Sequence, residues 1–491
     1  MLKTLIEKEL KAIILSPKFA ATFAVCALLI VLSVFVGIKE YNNAVAQYET
    51  VTSLAEQELR EQNSWSSLGT RISREPEPMQ IFSSGVHNDV GRLTAISSWQ
   101  EIKLRNSNYS DDPIFAVFRF VDVAFIVQIV LSLFAILFTY DAINGEREGG
   151  TLQLTFSNAV PRVQYIVSKF IGSWLGLVLP LLVPILLGLL LLLLFNVPLT
   201  GDDWGKMTAM MGASLLYFTF FIALGILVSA LTKQSATSFL FLLVTWVTLV
   251  LIIPRVGVMA AGHLYEVPTV AEVEAKRDGF AKDKWEEHFQ GMEDRWSARN
   301  VEMQGMDESE REEYRDDNEW GWMQEDAEER KKVTAEISDY GRKLTEDLRN
   351  RKAEQEKFGF TISRFSPASA FQLAVMNLAG TNIDLKTRNE DAMDDYRTAF
   401  KDYRDKKQKE NGGGGGIRIS MSSGESGGAF KISGDRDQGT LDLTDMPKFV
   451  APQHTFSAGF SPAMTDIGLL SLFTIIAFAA AFVAFLKYDV R

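Results

Sequence analysis

The chain has 491 residues, of which 47% are hydrophobic, and it carries a formal net charge of −12. The acidic balance argues against a nucleic-acid partner, because nucleic-acid binding needs a basic face. The single cysteine, Cys26, excludes a disulfide within the chain, so its folded parts must be held together by burial alone.

Residues 1–18 are predicted to form an amphipathic helix in the membrane interface. Apolar residues recur at helical spacing from Leu2 to Ile14, with lysines on the other side. Pro17 disfavours a continuous helical rod into the apolar run that follows. Beyond that run, the 3.6-residue period between Tyr41 and Ala55 predicts that the helix continues.

Long uncharged runs dominate the rest of the chain, and each could cross about 30 Å of hydrocarbon as a helix. We therefore predict an all-α polytopic membrane protein with six transmembrane helices, at 19–38, 119–140, 170–198, 208–232, 235–258 and 465–487. The two long polar regions between them are 39–118 and 259–462, and the second is expected to be a mainly helical α+β domain.

Basic residues near the span ends predict the orientation. The segments 1–18, 141–169, 232–234 and 487–491 hold ten lysines and arginines, so the positive-inside rule places both termini in the cytosol. The two long regions then lie outside, as expected for a multi-pass protein of a bacterial cytoplasmic (inner) membrane.

The segment 141–169, between the second and third spans, carries the most informative pattern. Charges and glycines leave the membrane, a short apolar-faced stretch follows, and a Pro-Arg turn leads back. The candidate functional residues are Glu146, Arg147, Glu148, Thr151, Leu152, Leu154, Pro161 and Arg162.

At these positions, together with Gly150 and Lys169, the chain resembles the permease subunit of a type-2 ABC exporter. In that family the segment is the coupling helix, which docks on the ATPase subunit. The resemblance also covers the N-terminal helix and the six spans. The most similar branch has large outside regions and includes permeases linked to gliding motility and to nitrous-oxide reductase maturation.

The resemblance implies several partners. They are two copies of an ABC ATPase subunit, a second copy of this permease or a related one, membrane lipid, and in some branches an envelope protein. ATP and Mg²⁺ would bind to the ATPase subunit. We expect no enzyme activity, cofactor or metal in this chain, which has no G-x-x-x-x-G-K-[ST] motif, no H-E-x-x-H motif and four scattered histidines.

The region 259–462 shows helical and strand patterns in turn. Two apolar stripes, in 285–296 and 333–348, predict a pair of packed antiparallel helices, with a further helix over 393–403. The stripes consist of Trp285, Phe289, Met292 and Trp296, and of Val333, Ile337, Tyr340, Leu344 and Leu348. Five glycines at 412–416 predict a turn, and alternation in 417–421, 430–432 and 441–443 predicts short strands.

Prolines within the spans are candidate gate or kink positions, namely Pro180, Pro184 and Pro254. A static bend accommodated by packing is the alternative. Arg119 and Asp122, at the outer end of the second span, are a candidate ion pair.

Three functions fit these patterns. The first is export of a substrate by an ATP-driven permease. The second is a mechanotransmitting ABC-type complex that acts on an envelope partner without transport. The third is a membrane-anchored receptor or adhesion module without an ATPase.

Overall fold

The fold is described from a computed structural model, which defines residues 1–65, 68–88, 90, 92–96, 122–158, 160–410, 418–422, 429–433 and 440–487. The chain divides into two compact units. One combines Met1–Arg255 with Ser363–Arg491, and the other is Val256–Ile362. The region predicted as one domain, 259–462, is therefore divided between the two units.

The first unit begins with two helices separated by a sharp break. Helix α1 spans Leu2–Ile14, and helix α2 spans Pro17–Arg60. The Ser16 side chain accepts a hydrogen bond from the Phe19 amide and Pro17 occupies the first helical position, both of which favour a new helix start. The predicted continuation of the first span as helix beyond residue 38 is confirmed.

Six helices are long and apolar enough to cross a membrane, as predicted: Pro17–Arg60, Val123–Glu148, Arg162–Leu194, Gly201–Leu231, Ser235–Leu264 and Phe456–Leu486. The second contains α3 (Val123–Phe125), a π-helical turn (Ile126–Leu131), α4 (Ser132–Thr139) and α5 (Asn144–Glu148). A short helix α6 (Thr151–Ser157) precedes the third span, α7 (Arg162–Leu194). The fourth span is α8 (Gly201–Leu231), and the fifth combines α9 (Ser235–Trp246), a second π turn (Val247–Ile252) and α10 (Ile253–Leu264).

Side-chain hydroxyl groups donate hydrogen bonds to a backbone carbonyl in each π turn. The Gln128 carbonyl accepts hydrogen bonds from the Ser132 hydroxyl at 2.5 Å and from the Tyr217 hydroxyl at 2.9 Å. The Leu249 carbonyl accepts one from the Ser366 hydroxyl. Pro254, which has no amide hydrogen to donate, follows the second π turn at the start of α10. At each π turn, a side-chain hydroxyl that donates to a backbone carbonyl thus accounts for the local departure from α-helical hydrogen bonding.

The other two candidate kink residues lie in a different setting. Pro180 and Pro184 are both inside α7, which is assigned as one helix across them. Pro184 is buried, and Pro180 is partly exposed. A gating role for either residue stays a prediction. In the predicted pair of Arg119 with Asp122, Arg119 lies outside the described residues. The Asp122 carboxylate instead accepts the amides of Phe125 and Ser84 at 2.8 and 2.7 Å.

An apolar helix between the fifth and sixth spans packs among the spans themselves. This helix, α13, covers Pro367–Ala379, and all thirteen of its residues are buried. Phe371 stacks on Tyr217 of α8, with ring centroids 4.7 Å apart. Beside α13, the Arg364 guanidinium donates to both oxygens of Asp466 in the sixth span, α15 (Phe456–Leu486), at 2.5 and 3.2 Å.

The remaining elements of the first unit form a small α+β layer. Strands β1 (Thr70–Ser73) and β2 (Leu93–Ile96) pair antiparallel, and α14 (Asp384–Glu410) packs beside them. Their shared core is Trp65, Leu68, Ile72, Ile96, Met393, Tyr396 and Phe400, which confirms the helix predicted over 393–403.

A second antiparallel pair, β3 (Arg418–Ser422) and β4 (Ala429–Ser433), confirms two of the three predicted strands. The prediction of a strand at 441–443 is wrong. There the Asp442 carboxylate accepts the Thr444 amide at 3.1 Å, which turns the chain locally instead of extending it. The glycines 412–416 lie outside the described residues.

The second unit is dominated by two long helices, α11 (Val270–Glu302) and α12 (Glu308–Ser363). They are antiparallel, because Phe280 stacks on Tyr340 with centroids 4.1 Å apart, while Arg295 pairs with Asp326 at 3.0 Å. The α12 stripe is half-buried, as predicted.

The predicted stripe on α11 needs a correction. Phe289 and Trp296 are 56% and 48% exposed, so they do not form the seam. The seam uses the neighbouring helical face instead, where His288 and Arg299 are buried and Arg299 pairs with Glu325 at 2.8 Å. The His288 ring and the long apolar stem of Arg299 therefore replace two of the expected aromatic contacts.

Candidate functional site

The segment predicted to be functional forms a bent pair of short helices, α5 and α6. Gly149 and Gly150 join them, and Gly150 adopts φ +69°, which is left-handed backbone. No atom lies within 4 Å of a Cβ built on Gly150, so the conformation alone requires glycine there. The bend lets α6 pack on the bundle instead of continuing the line of the second span.

Helix α5 is fastened to the fourth and fifth spans through Asn144, which is fully buried. Its amide nitrogen donates to Thr232 Oγ1 at 3.0 Å, and its oxygen accepts the Ser229 hydroxyl at 3.1 Å. The Glu148 carboxylate accepts the amide and hydroxyl of Ser235 at 2.9 and 2.8 Å. It thereby supplies the N-terminal cap of α9, whose own preceding residue caps nothing with its side chain.

Glu146 lies at the centre of an ionic cluster that also contains Lys8, Glu9, Lys169 and Tyr165. Its Oε1 accepts Lys8 Nζ at 2.7 Å and Lys169 Nζ at 2.9 Å, and its Oε2 accepts the Tyr165 hydroxyl at 2.7 Å. Lys169 also pairs with Glu9 at 2.8 Å, and its side chain is only 4% exposed. Two lysines thus balance two glutamates, which is the condition for keeping such charges buried.

The backbones of α1 and α7 approach each other closely beside this cluster. A Cβ built on Gly172 of α7 would lie 2.5 Å from Glu9 Cβ, and one on Gly176 would lie 3.4 Å from Ile13. Helix α1 therefore lies directly in a shallow groove of the third span. Ionic contacts and packing together join α1, α5 and α7 into one assembly.

The two leucines of α6 face opposite directions. Leu152 is 1% exposed, whereas Leu154 is 65% exposed. Phe156 packs inward, with its ring 5.2 Å from that of Tyr165 and 6.2 Å from that of Phe485 in the sixth span. Thr151, Gln153, Ser157 and Asn158 are also exposed, so they and Leu154 form the outward surface of α6.

The other predicted residues occupy the rim of this region. Arg162 begins α7 after Pro161, and its guanidinium donates to the carbonyl of Leu486 at the end of the sixth span, at 2.7 Å. The Thr151 hydroxyl donates to the Glu146 carbonyl at 3.2 Å. Arg147 is half-buried near the start of the bend.

The structure therefore separates the predicted residues into two groups. Glu146, Glu148, Leu152 and Arg162 bind to other parts of this chain, while Leu154 and Thr151 lie on the outward surface. The sequence reasoning missed Lys8, Glu9, Tyr165, Asn144 and Ser229 as partners. The available signal was Lys169, a charge within an otherwise apolar helix, which requires a counter-charge nearby.

The described residues contain no group of three or more histidine, cysteine, aspartate or glutamate side chains that could hold a metal. The organised chemistry of this region is thus ionic and hydrogen-bonding.

Six helices that are long and apolar enough to cross a membrane define a multi-pass membrane protein, and the ionic cluster joins the segment after the second of them to α1 and α7. The sequence model of the ABC-2 family transporter proteins matches residues 3–490, so the chain belongs to this family. The family implies an ABC ATPase partner. A comparison with curated proteins finds no match.

Proposed function

We propose that the chain is the permease subunit of an ATP-driven exporter in a bacterial cytoplasmic membrane, with both termini in the cytosol. Two permease chains, identical or related, work with two ATPase subunits. The membership of the ABC-2 family and the geometry of α5 and α6 support this proposal. The observation that carries it is the buried cluster around Glu146, which joins this segment to α1 and α7.

The ATPase contact is the outward surface of α6. Leu154 is an exposed apolar side chain flanked by small polar ones, a composition that suits a docking contact. Leu152 and Phe156, on the opposite face, press against the bundle. Force applied at Leu154 thus reaches packed side chains directly.

Movement of α5 and α6 passes to several spans at once. Glu146 and Lys169 transmit it to α1 and α7, and Asn144 transmits it to α8 through Ser229. Glu148 extends the connection to α9 through Ser235. Because these contacts are short, and Lys169 and Asn144 are buried, the segment and its neighbours move as one assembly.

A second candidate function is mechanotransmission to an envelope partner without transport. The lengths of α11 and α12 favour it, since helices of 33 and 56 residues extend about 50 and 84 Å at 1.5 Å per residue. The fully buried α13, which fills space between the spans, also favours it. ATPase coupling through α6 is common to both candidates.

The proposal is tested by Leu154→Asp, with Leu54→Asp as the matched control. Both residues are exposed leucines on helices, and Leu54 lies in the outward continuation of the first span. Leu154→Asp should leave membrane insertion and Tm unchanged but reduce co-purification of the ATPase subunit and its turnover at least tenfold. Leu54→Asp should change neither.

Equal ATPase binding and turnover in both variants would contradict the docking assignment. If the wild-type chain purifies from its native membrane without any ATPase subunit, the receptor or adhesion function replaces the permease function. If ATPase turnover depends on an envelope partner but no substrate crosses the membrane of reconstituted vesicles, mechanotransmission replaces export.

A further inference from the structure

Buried polar atoms without hydrogen-bond partners are concentrated in parts of the sequence that are distant from α5 and α6. Nine of the fourteen such side-chain atoms in the described residues belong to the segments 74–87, 381–388 and His454. They are Arg74 Nε and Nη1, Gln80 Nε2, Ser83 Oγ, His87 Nε2, Thr381 Oγ1, Asn382 Oδ1, Arg388 Nε and His454 Nδ1. Native proteins leave few buried polar groups unpaired, so a concentration of this kind needs a cause.

Within this group, Arg74 is the residue that most needs a binding partner, because its buried side chain carries a charge. It is 4% exposed, and its guanidinium donates only through Nη2, to the His87 carbonyl at 2.7 Å. No carboxylate of the described residues lies within ion-pair distance of it. Burial, together with the nearby guanidinium groups of Arg92 and Arg388, lowers the pKa of Arg74 to about 9, while Glu77 acts in the opposite direction. A guanidinium stays protonated in proteins, so this charge has to be compensated where it lies.

The surrounding charges leave this region positive. Among the described residues, Arg74, Arg92 and Arg388 face two carboxylates: Glu77, which lies 3.9 Å from Arg388 Nη2, and Glu40, which acts on Arg92. Burial raises the pKa of Glu77, while Arg388 and Lys206 act in the opposite direction. Arg92 donates to the neutral Asn88 side chain at 2.6 Å. Three guanidinium groups against two carboxylates leave an excess of positive charge, which favours an additional anion.

The backbone here cannot rotate to satisfy the unpaired atoms. The Val86 amide donates to the Thr381 carbonyl at 3.0 Å. Gly85 adopts φ +47°, and a Cβ on it would lie 2.2 Å from the Thr381 oxygen. Arg74 directly follows β1, and its backbone amide donates to the Arg92 carbonyl at 2.8 Å, which fixes the chain there. The unpaired groups are therefore held in place by their surroundings.

We propose that the residues around Arg74 form a binding site for a small oxyanion, a carboxylate or a phosphate group. Arg74 supplies the charge-assisted hydrogen bonds, for which guanidinium and oxyanions are well matched. Gln80, Ser83 and His87, all at least nine-tenths buried, supply further polar contacts. The oxyanion comes from solution or from the headgroup of a membrane lipid. This site is independent of the ATPase contact at α6.

The test measures Tm of the purified, delipidated full-length chain in detergent while sodium acetate or sodium phosphate replaces sodium chloride at constant ionic strength. The variants are Arg74→Met and the control Arg71→Met. Arg71 lies on the adjoining strand β1, but it is half-exposed and pairs with Glu58 at 3.3 Å. A parallel series adds phosphatidylglycerol instead of soluble oxyanion. Equilibrium dialysis of the wild type with radiolabelled phosphate and acetate gives a readout that needs no variant.

For a solution oxyanion, Tm of the wild type and of Arg71→Met should rise with the logarithm of oxyanion concentration. Arg74→Met should lose this rise, and dialysis should give one bound oxyanion per chain. For a lipid headgroup, only phosphatidylglycerol should raise Tm, again only where Arg74 is present. Equal effects of chloride and oxyanions, an unchanged rise in Arg74→Met, or no response in any series with no bound oxyanion would overturn the proposal and assign these atoms to buried water.

Discussion

Lys169 shows at the residue scale how this chain keeps charges inside a membrane protein. Its ammonium lies between Glu9 and Glu146, and both contacts are shorter than 3 Å. The sequence predicted that Lys169 and Glu146 belong to one functional segment, and the structure pairs them at 2.9 Å. It could not pair Glu146 with Lys8, because 138 positions separate them and only the packing of α1 on α7 brings them together.

Removing Lys169 should therefore be severe. Lys169→Met leaves two buried carboxylates without their shared partner, and the loss of one member of a buried pair costs about 3–5 kcal/mol. Thermal unfolding in detergent should show a clearly lower Tm. Lys11→Met, which breaks only the exposed pair with Glu7, should leave Tm close to that of the wild type.

The double variant Lys169→Met with Glu146→Gln separates charge from volume. If the cluster acts as a unit, the double variant should be more stable than the sum of its single changes predicts. Strict additivity would mean that Lys169 and Glu146 do not interact energetically, contrary to the structure.

At the element scale, the composition of α6 does not determine which of its two leucines faces the protein interior. The sequence predicted Leu152 and Leu154 together as an apolar docking surface. Residues two apart on an α-helix point about 200° away from each other, because each residue turns the helix by about 100°. Only the tertiary contacts of Phe156 with Tyr165 and Phe485 decide which leucine faces inward.

Aspartate substitutions at the two leucines should consequently have different effects on stability. Leu152→Asp places an unpaired carboxylate in the core and should destabilise the protein by several kcal/mol. The variant should show a lower Tm even without any ATPase present. Leu154→Asp should keep the wild-type Tm. If both variants unfold at the wild-type temperature, Leu152 does not pack as the structure places it.

The hairpin of α11 and α12 allows a similar comparison. Tyr340→Ala removes the stacking on Phe280 and should speed amide hydrogen exchange along both helices by roughly tenfold or more, as expected for the loss of at least about 1.4 kcal/mol of local stability. Trp320→Ala, at a residue that is 72% exposed, should leave exchange unchanged. Equal exchange rates in the two variants would contradict the seam described above.

At the scale of the whole molecule, hydropathy predicted the six spans because length and absence of charge are sufficient signals for them. It did not predict that α13 packs among the spans, since an apolar stretch of thirteen residues is too short to span and resembles any buried helix. The division of 259–462 between two units was equally hidden. It depends on contacts such as Arg364 with Asp466, which join residues 102 positions apart.

The central claim is that the outward surface of α6 contacts an ATPase subunit. Cys26 is buried, so a cysteine introduced elsewhere can be labelled selectively. A thiol-directed photocrosslinker attached at Leu154→Cys should join this chain to the ATPase subunit in the purified complex. The same reagent at Asn300→Cys, an exposed position on α11, should give no such product. A complex that hydrolyses ATP but yields no crosslinked ATPase from position 154 would contradict the account.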